Sequence, residues 1–226
     1  MKEEDLNYFL FIKIGEEKHI DALQRKGHFY CTTIRYFRTV ENDGLRGDLH
    51  EGKAYLKQLK DFKIRHQGRV IGIAPNAQLY YNHPDDIGNI FCIYGVKTKL
   101  INLSIKAIQR VRIEEEAVGF GKAALLIYNL QEFVNRIEKS LKELGKEYNI
   151  SPIHYYDSKT YEGELSPFFK DDRYSYQNEF RLWIPNKVEH PFEFYIGDIS
   201  DISHKIPIAD IDKIDVNVIK PTLNKV

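Results

Sequence analysis

The distribution of apolar and polar positions predicts a strand, a helix and a second strand at the start of the chain. Residues 8–14 are almost continuously apolar, which is typical of a buried strand. Residues 16–26 carry apolar side chains at helical spacing, and Gly27 follows at the position where a helix commonly ends. Residues 28–32 favour an extended chain because aromatic residues and a threonine predominate there.

The middle of the chain predicts a block of strands followed by the longest helix. The predicted strands are residues 55–65, 69–73, 79–81, 89–96 and 122–128, with turns around Pro75, Asn76, Pro84, Asp85 and Gly88, and with a helix or irregular connection at residues 104–111. Within residues 130–148, Phe133, Ile137 and Leu141 recur at four-residue steps. This spacing predicts a helix that buries one apolar stripe.

Strands return in the last third of the chain. They are predicted at residues 152–157, 179–184, 192–196, 203–208 and 211–218. Strands and helices therefore come in blocks rather than in regular alternation, and the glycine fingerprints of dinucleotide-binding folds are absent from the sequence. The sequence predicts one α+β domain over residues 1–226, with curved and mostly antiparallel sheets.

Composition and charge limit which classes of partner, such as nucleic acids and membranes, the sequence predicts. Lys plus Arg and Asp plus Glu each number 33, so the formal net charge is zero and a nucleic-acid partner requires a local basic patch. The apolar start of the chain is interrupted by Lys13 and is too short for a signal peptide or a membrane span, which predicts a cytoplasmic protein without a membrane partner. Cys31 and Cys92 lie in apolar segments and are predicted to fill the core.

One candidate site is the predicted strand that carries Gln177, Glu179 and Arg181. Alternate residues of a strand point to the same side, so these three side chains are predicted to share one face. One interpretation is an exposed face with a surface ion pair between Glu179 and Arg181. The other is a pocket wall in which Glu179 supplies the charge that stabilises an oxocarbenium-like transition state at a ribose carbon.

A second polar cluster covers residues 35–51, where Arg35, Arg38 and Arg46 alternate with acidic residues beside Tyr36. Three interpretations stay open. The charges form a solvated loop, or the arginines bind phosphate while Tyr36 stacks on a base, or Glu41, Asp48 and Glu51 bind Mg²⁺. The interleaved arginines count against the Mg²⁺ site, so no metal is predicted.

The segment Gln177-Asn178-Glu179 resembles the Gln/Glu-x-Glu element of the ADP-ribosyltransferase superfamily, and residues 10–32 are similar to the opening strand, helix and strand of that fold. The resemblance implies NAD as cofactor, with Glu179 polarising the nicotinamide ribose and Gln177 orienting the acceptor. The first strand offers Lys13 where superfamily members usually carry His or Arg, and the Ser-Thr-Ser element of some groups is not evident. Most of the chain also resembles a family of uncharacterised bacterial and phage proteins, which implies no function.

Two hypotheses about function follow. The first is a nucleotide-binding enzyme of the ADP-ribosyltransferase type, a toxin or phage-conflict factor with a protein or nucleic-acid acceptor. Its catalytic residues are predicted to be Glu179 and Gln177, and its cofactor-binding residues Arg35, Tyr36, Arg38, Arg46 and Arg181. The second is a non-enzymatic module that binds a nucleotide or a protein, such as an inhibitor of host defence encoded by a mobile element. The enzyme requires Glu179 and at least one of Arg35, Arg38 or Arg46 to face a common cleft, whereas the module tolerates Glu179 locked in an ion pair with Arg181.

Overall fold

A computed structural model describes residues 7–39, 48, 50–83, 88–102, 107–187, 190–217 and 219. The helices are α1 (Glu17–Lys26), α2 (Ile34–Thr39), α3 (Glu115–Val118) and α4 (Leu130–Glu143). The strands are β1 (Tyr8–Gly15), β2 (His28–Thr33), β3 (Lys53–His66), β4 (Arg69–Asn82), β5 (Asn89–Lys97), β6 (Ile108–Arg110), β7 (Ala123–Ile127), β8 (Asn149–Pro152), β9 (His154–Tyr156), β10 (Gly163–Glu164), β11 (Phe169–Asp171), β12 (Glu179–Ile184), β13 (Phe192–Tyr195), β14 (Ser203–Pro207) and β15 (Asp215–Asn217). Strands pair mostly antiparallel, so the predicted α+β class is confirmed.

The largest sheet has eight strands, and β5 is the strand at which its pairing branches, because β5 pairs with three other strands. Along one edge of β5, residues 94–97 pair with β1, while Asn89 and Ile90 pair with β2. Strand β12 pairs along the other edge, and β8 lies beyond it. Pairing along both edges places β5 at the centre of the sheet, where most of its residues are buried.

Apolar side chains cover both faces of this sheet. On one face α4 packs through Phe133, Ile137 and Leu141, as its spacing predicts, together with Ile20 and Leu23 of α1. On the other face, side chains of β1, β5 and β7 pack against the segments around α3 and the end of the described chain. No helix in the described part of the chain is long and apolar enough to cross a membrane.

The longest helix is shorter than the sequence predicts, because α4 ends at Glu143 rather than at residue 148. Gly145 adopts a φ of 62°, its N–H donates to the carbonyl of Lys142, and the N–H of Lys146 donates to that of Leu141. These are the two bonds of a glycine-terminated helix end. The glycine therefore stops the helix, and β8 begins four residues later.

Strands β3 and β4 form one long hairpin where three shorter strands and a turn at Pro75 are predicted. Pro75 lies inside β4, which pairs with β3 alone among the described strands. A strand at a sheet edge accommodates a proline without loss of the ladder on both sides, which explains why the turn prediction is wrong there. The turn lies instead at Gln67 and Gly68, whose φ angles are 47° and 78°.

Two further predictions are wrong, and the two segments concerned pair with each other. Residues 208–213 form a 3-10 helix that follows Pro207, and the described part of the predicted strand 211–218 is a strand at Asp215–Asn217 alone, while residue 218 lies outside the described residues. That strand, β15, pairs with Ile108–Arg110, where a helix or irregular connection is predicted. A pairing between segments a hundred residues apart leaves no local periodicity in either one. Residues 103–106 lie outside the described residues.

Candidate functional site

The strand that carries the candidate site begins at Glu179, so the prediction that Gln177 lies on it is wrong. Residues 172–177 form a 3-10 helix, whose first turn is capped by a bond from the N–H of Arg173 to the carboxylate of Asp171 (3.0 Å). Asn178 then takes a φ of 38°, a left-handed conformation that asparagine adopts more readily than most residues. This turn still brings the side chain of Gln177 back to that of Glu179.

The side chains of β12 alternate between two environments, as the sequence predicts. Phe180 and Leu182 pack in the core under α4. Glu179 and Arg181 point to the opposite face, where Tyr94 and Cys92 of β5 are their cross-strand partners. The candidate residues therefore lie in the interior between the eight-stranded sheet and the segments that cover it.

Arg181 is the centre of the polar arrangement, and its side chain is fully buried. Its Nη1 donates to Oε1 of Glu51 at 2.6 Å and its Nη2 to Oε2 at 3.2 Å, while Nε donates to Oε1 of Glu179 at 2.7 Å. Nη1 also donates to the carbonyl of Pro167. A bidentate pair of this kind fixes both the distance and the plane of the carboxylate.

Lys170 of β11 supplies the second buried cation. Its Nζ donates to Oε2 of Glu179 at 3.0 Å and to Oε1 of Gln177 at 2.7 Å, and it lies 3.7 Å from Oε2 of Glu51. We call Glu51, Lys170, Glu179 and Arg181 the ionic cluster. Its two carboxylates and two cations balance, and each of the four side chains is at most 5% exposed.

Mutual attraction keeps Lys170, Glu179 and Arg181 charged despite their burial. Burial alone disfavours a carboxylate, yet the charges of Arg181 and Lys170 hold the pKa of Glu179 below its ordinary value. Burial likewise disfavours an ammonium ion, yet Glu179 and Glu51 raise the pKa of Lys170. The same carboxylates raise the pKa of Arg181 against its burial.

The ionic cluster holds the chain where it enters the β3–β4 hairpin. Glu51 precedes β3 by two residues, and the guanidinium of Arg38 donates to the carbonyl oxygens of Glu51 (2.6 Å) and Gly52 (3.1 Å). Nearby, the buried carboxylate of Asp48 accepts a bond from the N–H of His50 at 2.8 Å. Burial, reinforced by the charge of Glu51, raises the pKa of Asp48 to about 6.

The structure thus brings part of the two predicted clusters together. Gln177, Glu179 and Arg181 meet Glu51, and Arg38 reaches the same place through the backbone of Glu51 rather than through Glu179. Two other predicted residues lie on α2, where both are exposed: Arg35 and Tyr36. Arg46 lies outside the described residues.

Lys170 is the member of the ionic cluster that sequence reasoning missed. It follows two phenylalanines that are suited to burial, but three charged residues come directly after it, so its charge does not stand out in the sequence. A lysine that is buried requires an acidic partner in the interior. Glu179 is that partner, nine residues later, but the turn that brings it back leaves no periodic pattern.

The chemistry open to this arrangement is limited by its pairing. One oxygen of Glu179 accepts from Arg181 and the other from Lys170. The neighbouring Cys92 thiol is not poised as a nucleophile, because burial raises its pKa to about 12. Among the described residues, no group of three His, Cys, Asp or Glu side chains is placed to hold a metal ion.

Comparison with known proteins adds no constraint: no family model, curated protein or solved structure matches the chain.

Proposed function

We propose that this chain is a non-enzymatic binding module, in which the ionic cluster fixes the β3–β4 hairpin to the eight-stranded sheet and the outer part of that hairpin contacts a partner. We call residues 60–76 the outer hairpin. The observation that carries the proposal is the position of Glu179, whose two carboxylate oxygens are both engaged in a buried ion pair. This is the arrangement that a binding module tolerates and that an enzyme must first open.

The ionic cluster suits a structural role because it joins distant parts of the chain. Arg181 bonds Glu51 across 130 residues of sequence, and Lys170 bonds Glu179 from another strand. A buried ion pair adds little net stability, since desolvation of its members offsets their attraction, but breaking it is costly. The arrangement therefore favours one orientation of the hairpin base over any that leaves a buried charge unpaired.

The outer hairpin suits a contact surface because neither of its faces is covered. From Lys60 to His66 every residue of β3 is exposed, and the opposing β4 carries Ile71 and Ile73 at 66% and 62% exposure. A two-stranded ribbon is marginal in water, and clustered apolar side chains on a surface commonly mark an interaction site. A partner that covers this ribbon would stabilise it.

The transferase hypothesis remains a prediction. For Glu179 to act on NAD, its carboxylate would have to exchange Arg181 or Lys170 for the ribose, and a buried cation would lose one of its two carboxylate partners. Such an opening costs several kcal/mol because an unpaired buried charge is expensive.

Hydrogen exchange of the outer-hairpin amides tests the proposal. The purified chain is measured alone, at rising concentration, and with NAD, a short DNA duplex or vesicles of anionic lipid. We expect one of the macromolecular conditions to slow exchange in residues 60–76. A variant in which Asn-Gly replaces these residues, joining the paired residues Leu59 and Ala77, should keep its fold and lose that binding.

The same samples are assayed for release of nicotinamide from NAD. We expect none above background. Release by the parent chain and by the hairpin-deleted variant, with loss in Glu179→Gln, would overturn the proposal in favour of the enzyme. Absence of outer-hairpin protection under every condition would also overturn it.

A further inference from the structure

The hairpin concentrates positive charge in a chain that has none overall. Residues 57–69 contain five cations, Lys57, Lys60, Lys63, Arg65 and Arg69, and one carboxylate, Asp61, so their net charge is +4. The formal net charge of the whole chain is zero, and the remaining residues therefore carry −4. All five cations are exposed, and none has an ion-pair partner in the described part of the chain.

Cations and apolar side chains share both faces of the ribbon. Lys63 lies opposite Ile73 and Arg65 opposite Val70, and directly opposed residues point to the same face. The other face carries Phe62 of β3 and, opposite His66, the cation Arg69. Neither face is purely apolar or purely charged.

This mixture discriminates between the possible occupants. Two copies that packed along their hairpins would bring two charges of +4 together, which opposes association. A membrane surface selects an element with one apolar face and one charged face, and the ribbon has no such division. A duplex nucleic acid offers phosphates on both sides of a groove that a two-stranded ribbon can enter.

We infer that the outer hairpin binds double-stranded DNA, an assignment that rests on the binding function proposed above. The ribbon enters the major groove of B-form DNA, which admits a two-stranded β-ribbon, whereas the deep and narrow major groove of duplex RNA does not. Lys and Arg on both faces contact the phosphates that line the groove. Phosphate contacts carry no sequence information, so the affinity depends little on sequence.

Fluorescence anisotropy with a labelled duplex of about 20 base pairs, recorded over a range of salt concentrations, tests the inference. Four or five phosphate contacts predict a slope of log affinity against log salt of about −3.6 to −4.5. Affinity should then fall about 150- to 500-fold between about 50 and 200 mM salt. A slope near zero would overturn the assignment.

Two double variants that remove the same charge separate a docking surface from a general effect of charge. Lys63→Gln with Arg65→Gln should make the negative slope shallower by about 1.8, because two phosphate contacts are lost. Lys18→Gln with Lys139→Gln, on exposed positions of α1 and α4, should leave the slope unchanged. Equal behaviour of the two variants would overturn the inference.

Competition experiments identify the nucleic acid. Duplex RNA or a single strand that binds as tightly as duplex DNA would overturn the groove geometry. Failure of every DNA duplex to bind, with outer-hairpin amides protected by vesicles or by self-association, would refute the DNA assignment and leave the binding module standing. If no DNA duplex binds, and neither vesicles nor self-association protects the outer-hairpin amides, both the DNA assignment and the binding module are refuted.

Discussion

The ionic cluster and the outer hairpin contain similar side chains but differ in burial and in the pairing of their charges. Each combines cations with apolar or aromatic neighbours. In the ionic cluster, two cations face two carboxylates in the interior, and the four side chains are at most 5% exposed. In the outer hairpin, cations stand in solvent without a carboxylate partner among the residues that the structure describes. Burial and pairing, rather than the number of charges in a segment, distinguish a structural cluster from a surface that attracts a ligand.

The energetic consequence is that the same type of substitution should have very different effects in the two regions. A charge removed from the interior leaves its partners unpaired in a medium of low dielectric constant, whereas a charge removed from the surface is replaced by water. The first change should lower the free energy of unfolding. The second should alter binding alone.

The largest effect is expected for Arg181→Met. This change removes the cation that pairs with Glu51 and Glu179, so we expect the free energy of unfolding to fall by about 3–5 kcal/mol. Urea denaturation measures it. The matched control is Arg110→Met, which breaks the exposed pair with Asp215 and should cost less than about 1 kcal/mol.

A combined variant shows whether the loss comes from unpaired charge. Glu51→Gln, added to Arg181→Met, removes the one carboxylate in excess while Glu179 keeps its pair with Lys170, and it should restore part of the lost stability. Equal unfolding free energies for Arg181→Met and Arg110→Met would contradict the structural role of the ionic cluster.

The contrast between local and distant contacts also explains how much the sequence predicts. The stripe of Phe133, Ile137 and Leu141 is set by neighbours along one helix, so its burial follows from spacing alone. The same-face positions of Glu179 and Arg181 follow from strand alternation. Their pairing with Lys170 and Glu51 depends on turns and on segments far apart in sequence, and no local pattern contains it.

The hairpin shows a similar limit. The alternation of β-favourable residues predicts strands on either side of Pro75, and the proline itself predicts a turn. The strand continues because β4 pairs with no described strand other than β3, a property of the sheet that the sequence does not display. The cations of residues 57–69 are close together in the sequence, but only the structure shows that they stand exposed on one two-stranded ribbon.

A smaller, pH-dependent effect is expected at Asp48. Burial raises its pKa from 3.8 to about 6, so between these values the folded chain binds more protons than the unfolded one. Stability contributed by this group therefore falls as pH rises through that window. Asp48→Asn removes the buried charge and should be more stable than the parent by about 1–3 kcal/mol above pH ~6.

Thermal unfolding of the parent and Asp48→Asn at several pH values tests this prediction. The difference should vanish below about pH 4, where the parent side chain is protonated in both states. A difference that stays constant across the range would show that the buried charge is not its cause.

A smaller effect still is expected when the outer hairpin is removed. Its side chains other than the half-buried Ala74 are exposed, so replacement of residues 60–76 by Asn-Gly should change the free energy of unfolding by less than about 1 kcal/mol. Urea denaturation measures the free energy of unfolding of this variant and of Arg181→Met under the same conditions. A loss as large as that of Arg181→Met would mean that the outer hairpin stabilises the sheet, and the contrast between the two regions would fail.

The smallest effect is expected for Gln67→Asn at the tip. Gln67 and Gly68 both have positive φ angles, the geometry of the hairpin turn in which Asn-Gly is preferred. Asparagine tolerates this conformation better than glutamine, so the outer hairpin should gain about 0.5–1 kcal/mol of local stability. Exchange of its amides should slow by about two- to fivefold while the global unfolding free energy stays the same, because the hairpin opens without the sheet. The matched control is Gln131→Asn on an exposed position of α4, which should leave the exchange of the outer-hairpin amides unchanged. A parallel rise in global stability would show that the outer hairpin and the sheet unfold as one unit.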